Sequence, residues 1–347
     1  SGMSLGFLRD WAAAGAAPVH QRLLLRRWLA GFELDAAAAR ASIPFPARLL
    51  ASLPQLARAQ EGLACIVSRH PSGDGSSRLL VRLADARTVE SVLLGRGGVC
   101  LSTQIGCAVG CRFCKTGEGG LLRQLGPEEI LAQFALAQRE RRARGEAGLR
   151  RVVLMGMGEP AHNLAAVLCA LSHLGGAAGL GHKQIVFSTV GERRAIEALA
   201  VHDVKPALAL SLHTLDDGLR QELLPRAPRI AARELVGLAL AYARQTGHPL
   251  QVQWTLLAGV NDGEQELEAL AKVFEGARAI VNVIPWNNVD GAGFERPELA
   301  RSIDFVRSLK RRGVFATIRR SAGEDVDGAC GQLRARDLAL SARAGES

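Results

Sequence analysis

From residue 99 onward, short apolar runs alternate with amphipathic ones. Val99 to Gln104, Arg151 to Met155, Gln184 to Phe187, Pro206 to Leu210, Leu250 to Leu257 and Ala279 to Ile284 read as buried strands. Most are followed by stretches of helical period, such as Pro127 to Arg144, Asn163 to Leu174 and the run from Glu192. Strands that alternate with helices leave few folds open, because parallel pairs need crossovers and those crossovers are right-handed. Polar and Gly-rich residues end nearly every strand, which is where parallel barrels carry their sites. The pattern predicts an α/β fold, an incomplete (β/α)6 TIM-like barrel.

The first part of the chain is built differently. Gln21 to Ala30 is a basic, apolar helix, and Pro44, Pro46 and Pro54 punctuate the next stretch. Leu79 to Leu94 alternates like a hairpin that turns near Ala84-Asp85-Ala86. The expected division is a small helical N-terminal module with a β-extension over 4–85, the partial barrel over 86–335 and a tail over 336–347. Ser1-Gly2-Met3 reads as an expression scar ahead of the native start.

Between the first predicted strand and its helix lie Cys107, Cys111 and Cys114, spaced C-x3-C-x2-C. Three thiolates on one short loop can hold three irons of a cubane [4Fe–4S] cluster and leave the fourth iron open. That open iron is what reductive cleavage of S-adenosylmethionine requires. A structural zinc site takes four closed ligands, usually from two pairs, and the loop has neither a second pair nor a His. A disulfide framework does not suit three cysteines in a chain with nothing secretory about it. A zinc-containing RNA-binding protein is the non-enzymatic alternative.

The 347 residues are 48% hydrophobic, enough for a sizeable core, and no apolar run reaches the length of a membrane span. Seven cysteines without evident pairing point to the cytoplasm. The formal net charge of +9 suits a polyanionic partner such as RNA. Aromatics make up only 4% of the chain, which argues against a stacking platform for single strands.

Other candidate residues cluster at strand ends. Gly156-Met157-Gly158-Glu159-Pro160 follows the second strand; its glycines allow close approach of a ligand, and Glu159 can accept from an ammonium group. Ser188, Ser211 and His213 end the next two strands and should face one mouth. Asn287 offers a donor and an acceptor after the last strand, and Trp286 reads as core. Cys100 lies on the predicted first strand, and the Gly and Ala that flank Cys330 suggest a tight, accessible turn. Cys65 and Cys169 read as buried small hydrophobes.

Taken in order, these motifs resemble the RlmN/Cfr family of radical S-adenosylmethionine RNA methyltransferases, in particular its RlmN-type adenine C2 members. The resemblance runs from about Val89 to Leu333. It rests on Cys-Leu-Ser-Thr-Gln-Ile-Gly-Cys at 100–107, the cysteine triad, Met-Gly-Met-Gly-Glu-Pro at 155–160 and Phe-Ser-Thr-Val-Gly at 187–191. It continues with Leu-Ser-Leu-His at 210–213, Val-Asn-Asp-Gly at 260–263, Ile-Pro-Trp-Asn at 284–287 and Gly-Ala-Cys-Gly-Gln-Leu at 328–333. The helical N-terminus resembles the family's small RNA-binding module.

The resemblance implies a role for each position. Cys107, Cys111 and Cys114 match the cluster ligands. Gly158, Glu159, Ser188, Ser211, Leu212, His213 and Asn287 match the S-adenosylmethionine contacts. Cys330 matches the cysteine that becomes methylated, Cys100 its resolving partner and Glu90 the candidate general base. The implied reaction uses two S-adenosylmethionine molecules per turnover. One methylates Cys330, and the second yields the radical that activates this methyl for addition to an electron-poor adenine carbon. Cys100 then releases the product by forming a disulfide with Cys330. The implied substrate is 23S ribosomal RNA, with transfer RNA as a second one in some members. The implied partner is an electron donor such as flavodoxin, and the expected state is a monomer. Motifs alone do not separate C2 from C8 methylation.

Overall fold

The computed structural model describes residues 3–35, 43–287, 293–319, 332 and 334–335. Three helices, α1 (Phe7–Ala13), α2 (Pro18–Leu29) and α3 (Ala47–Glu61), lead into three antiparallel strands. These are β1 (Ala64–Pro71), β2 (Ser77–Leu83) and β3 (Thr88–Leu94), followed by β4 (Gly98–Cys100). The cysteine loop is framed by β5 (Gln104–Gly106), the one-turn α4 (Lys115–Glu118) and β6 (Leu121–Gln124). Next come α5 (Pro127–Ala143), β7 (Arg151–Leu154), α6 (Leu164–Gly176), β8 (Ile185–Thr189), α7 (Arg193–Val201) and β9 (Ala207–Ser211). The chain continues with α8 (Asp217–Leu223), α9 (Ala232–Thr246), β10 (Leu250–Leu256), α10 (Glu264–Phe274), β11 (Ala279–Pro285), α11 (Leu299–Arg311) and β12 (Ala316–Ile318).

Ten of these strands form one sheet in the order β1-β2-β3-β4-β7-β8-β9-β10-β11-β12. From β4 to β12 every neighbouring pair is parallel. β1 to β4 pair antiparallel, so the β-extension continues the same sheet. The sheet is open, with β1 and β12 at its two edges, and does not close into a barrel. Its parallel part gains a short seventh strand, β12, which three residues of ordinary strand propensity do not announce. β1 also escapes the sequence pattern, because its half-exposed polar residues hide the alternation.

The two faces of the sheet differ in character. Val152, Phe187, Leu208, Val252, Trp254 and Val283 point outward and join the large core under the helices. The inner face is small and sparse, with Cys100, Val153, Val186, Ala207 and Ala209 in a separate cluster. Small side chains there leave the interior open. Leu5, Trp11, Leu24, Trp28, Leu49 and Leu53 from the N-terminal segment join the same core as Phe134 of α5. No helix among the described residues is long and apolar enough to cross a membrane.

The expected first strand, Val99 to Gln104, divides in two. β4 ends at Cys100, and Gln104–Gly106 pairs with β6 in a separate two-stranded sheet. The break lies at Ser102. Its amide donates to Gln133 Oε1 at 2.9 Å, and its carbonyl accepts from Gln133 Nε2 at 3.0 Å. A buried glutamine of α5 thus replaces the ladder partner that a continuous strand would have used.

Candidate active site

The stretch that carries the cysteine loop passes over the end of β7. Thr103 and Gln104 donate their amides to the Met157 carbonyl, at 2.9 and 3.2 Å, and Gly156 donates to the Leu101 carbonyl at 3.1 Å. This crossing explains the glycines of the 156–160 motif. A Cβ at Gly156 would stand 2.7 Å from Leu101, and one at Gly158, where φ is +102°, would stand 2.6 Å from the Gln104 side chain. The close approach that the sequence suggests for a ligand is made by the chain itself. Gln104 Oε1 then accepts from the Glu159 amide at 2.7 Å.

Several elements hold the loop from outside. Arg112 donates its amide to the Leu223 carbonyl at 3.0 Å, and Arg226 donates to the Val109 carbonyl at 3.2 Å. Trp286 is core, as expected, and it also donates Nε1 to the Phe113 carbonyl at 2.9 Å. Val109, Phe113, Leu223, Leu224, Leu257 and Trp286 form an apolar bed against which the three cysteines pack.

Cys107, Cys111 and Cys114 lie close enough for their charges to interact, and Glu159 acts on the first two of them. Burial pushes all three thiols up, Cys107 to about 12. Such thiols surrender protons only when a metal takes their place. Among the described residues no three His, Cys, Asp or Glu side chains are gathered around a single ion. A cubane asks for less, because each thiolate meets a different iron and the three sulfurs stand farther apart. Arg220, buried beside Cys111, donates to the Val190 carbonyl and supplies a cation next to the loop. Three sulfurs, no fourth protein donor within the loop and an adjacent cation fit a cluster with one open iron.

Of the remaining candidates, Glu159 and His213 reach this loop. Glu159 accepts from the Ala161 amide at 3.0 Å and from the Val190 amide at 2.9 Å, which ties the end of β7 to the end of β8. Burial pushes its carboxyl up, against these amides that favour the anion. Ser188 is buried near the end of β8, and Ser211 ends β9. Leu212 is buried and donates its amide to the Gln253 carbonyl at 3.2 Å. His213 has a left-handed backbone, φ +63°, and its ring meets Phe113 edge-on at 4.8 Å. Its Nδ1 accepts from the Thr255 amide at 3.0 Å, and its carbonyl accepts from Asn261 Nδ2 at 2.7 Å. The Val-Asn-Asp-Gly motif therefore buttresses the His213 turn. Asn287 accepts from Arg296 at 3.1 Å, while its buried Nδ2 has no partner among the described residues. An amide hydrogen left over at the mouth is what an incoming ligand would use.

Cys100, Phe113, Cys114, Gln253, Thr255 and Asn287 line one cleft of about 780 Å3. That volume suits an adenosyl-sized ligand. Among the described residues Cys100 is a free thiol, so the disulfide implied for turnover is not the state seen. Burial pushes it to about 11, while Arg78 and Arg319 pull the other way. Glu90 is 1% exposed. Its Oε2 accepts from Arg78 at 3.0 Å, and its Oε1 accepts from the Arg334 amide at 2.9 Å. Cys330 lies outside the described residues.

Gln253, Arg220 and Arg319 were not singled out from the sequence. A signal for the first was present. Leu250, Val252, Trp254 and Leu256 alternate with Gln251, Gln253 and Thr255, whereas a parallel strand covered on both faces should be apolar throughout.

Residues 101–272 match the Radical SAM superfamily. A probable RNA methyltransferase of Thiobacillus denitrificans is 58% identical over 324 residues, 93% of this chain and 88% of that one. A probable RNA methyltransferase of Pseudomonas aeruginosa is 52% identical over 327 residues, 94% of this chain and 93% of its own length. The crystal structure of a radical SAM methyltransferase from Sphaerobacter thermophilus superposes with a TM-score of 0.84 at 34% identity, over 95% of this chain and 97% of that one.

Proposed function

Because the chain belongs to the radical S-adenosylmethionine RNA methyltransferases, we propose that it methylates a ring carbon of adenine, C2, in 23S ribosomal RNA, with transfer RNA as a second substrate. The observation that carries this reading is the sharing of one cleft by Cys100, Cys114 and the Glu90-bound Arg78. A methyltransferase that used its cofactor's methyl directly would have no need of a second cysteine set apart from the loop.

Cys107, Cys111 and Cys114 would hold a [4Fe–4S] cluster, which when bound supplies the electron for reductive cleavage of S-adenosylmethionine. The chain's own groups do the rest. The unpaired amide of Asn287 and the carboxylate of Glu159 orient the ligand. Cys330 carries the methyl carbon to the adenine: the methyl yields one hydrogen atom to the cleaved cofactor, its carbon bonds to the ring carbon, and the unpaired electron left on the adduct passes to the oxidised form of the one-electron donor. Glu90 takes the ring proton, for which its Oε1 must first release the Arg334 amide. Cys100 stays protonated until the end, because burial holds its thiol near 11. Its thiol then gives up that proton as its sulfur attacks the sulfur of Cys330, and the S–C bond breaks. The electron pair leaves with the carbon, which takes a proton and becomes the product methyl. The two cysteines remain as a disulfide that an external thiol or electron donor reduces.

The test uses anaerobically reconstituted protein and RNA from cells lacking the gene. Cys100→Ala should keep its iron and accumulate a ribonuclease-sensitive protein–RNA adduct. Cys330→Ala should keep its iron and form neither adduct nor methylated adenine. Normal turnover by either variant would remove the two-cysteine route, and mass spectrometry of the nucleosides reads C2 against C8.

A further inference from the structure

Gln253 has no part in the chemistry above, yet its position is costly. It sits on β10 with 4% of its surface exposed, and both Oε1 and Nε2 are buried without a hydrogen-bond partner among the described residues. Burying an amide unpaired opposes folding, and Leu or Met would fill the same space without that penalty. The side chain is on the inner face, two residues before the cleft-lining Thr255. Register places it beside Ser211 of β9 and Asn282 of β11. A polar row therefore crosses an inner wall whose neighbouring positions are Ala207, Ala209 and Val186.

The same cleft is lined by Arg96, Arg151 and Arg319, none of which is in an ion pair among the described residues. Burial opposes the charge of Arg319, and Arg151 lies close enough to repel it. Asp74 also lines the cleft, but neither guanidinium is paired with it, and two adjacent guanidiniums of this kind suit an anion. The cleft thus offers an unused donor–acceptor pair together with unneutralised positive charge.

We propose that Gln253 reads the target adenine of the RNA, its Nε2 donating to a ring nitrogen and its Oε1 accepting from the 6-amino group, with Arg151 and Arg319 on the adjoining phosphate. Paired hydrogen bonds of this kind are how Gln and Asn recognise adenine. The inference rests on the reading that an adenine in RNA is the substrate. S-adenosylmethionine carries the same base edge but no phosphate for the arginines to meet, so the base belongs to the RNA.

The experiment measures equilibrium binding to cluster-loaded, full-length protein saturated with S-adenosylhomocysteine, which fills the cofactor site. The probes are adenosine 5′-monophosphate and purine riboside 5′-monophosphate, which lacks the 6-amino group. The wild type should prefer the first by about 10- to 100-fold, the discrimination of one paired amide contact. Gln253→Leu should bind the two alike and melt at a higher temperature, since two unpaired polar atoms leave the interior. Gln253→Met, unbranched like glutamine, is the second variant and should behave in the same way. A preference retained in the variants overturns the proposal. So does weaker binding of S-adenosylhomocysteine with the preference intact, which would assign the amide to the cofactor. RNA methylation by the wild type is scored separately. Its absence, with the adenine preference present, overturns the functional reading and not the role of Gln253.

Discussion

At the scale of single residues, His213 shows how a side chain at a strand end can be framework and site at once. Its left-handed backbone sharpens the turn after β9, and Nδ1 is committed to the Thr255 amide. The acceptor role of Nδ1 places the proton of the neutral ring on Nε2. Burial, with Arg220 nearby, pushes its pKa down to about 3. Between the ordinary value of 6.5 and about 3 the unfolded chain binds a proton that the folded chain refuses. Stability therefore falls as pH is lowered through that window, by up to about 1.4 kcal/mol per unit. Denaturant unfolding at pH 5 should show a deficit of about 2 kcal/mol from this group relative to pH 8. His213→Asn keeps a residue that tolerates the left-handed turn but removes the titration, so its deficit should be smaller by that amount. His213→Ala leaves the partly buried Thr255 amide without its acceptor and should cost about 1 kcal/mol at neutral pH. An unchanged melting curve would show that Thr255 finds another acceptor.

At the scale of elements, the cysteine loop is a segment with almost no core of its own, held by parts that are distant in sequence. Phe113 and Trp286 are 173 residues apart and meet through one hydrogen bond. Trp286→Phe keeps the apolar contact but strands the Phe113 carbonyl, and should destabilise the fold by about 1–3 kcal/mol. The loop should also release iron to a chelator faster than in the wild type. Equal release rates would mean that the apolar bed alone positions the cysteines. The split of the expected first strand belongs to this scale too. Val99 to Gln104 has continuous strand character, and only the position of Gln133 beneath it decides that pairing stops at Cys100. Local propensity is a weak prior wherever a buried polar group competes for the backbone.

At the scale of the whole molecule, the +9 charge acquires a place to act. Arg22 and Arg26 are exposed on α2, and Arg96, Arg151 and Arg319 line the cleft. We propose that the N-terminal helices and β-extension serve as one RNA-engaging module. RNA binding should then weaken linearly on a log–log plot against salt. Replacing Arg22 and Arg26 together by Gln should reduce the slope by about 0.7–0.9 for each phosphate that the helix no longer neutralises. An unchanged slope would move the RNA footprint off this helix. Deleting the N-terminal segment is a poorer experiment, because Trp11, Leu24 and Trp28 share a core with α5.

The amino-acid sequence by itself determined the α/β class, the incomplete barrel, the cysteine loop and the strand-end positions of Glu159, Ser188, Ser211 and Asn287. These follow from period and spacing, which act over a few residues and are written directly in the chain. Only the tertiary structure decided that Gly156 and Gly158 make room for Leu101 and Gln104, that Trp286 clamps the loop, that Glu90 is shared between Arg78 and the Arg334 amide, and that Gln253 enters the cleft unpaired. Each of these depends on which groups meet across long sequence separations. A hydrogen bond made or withheld at such a meeting leaves no periodic trace in the chain.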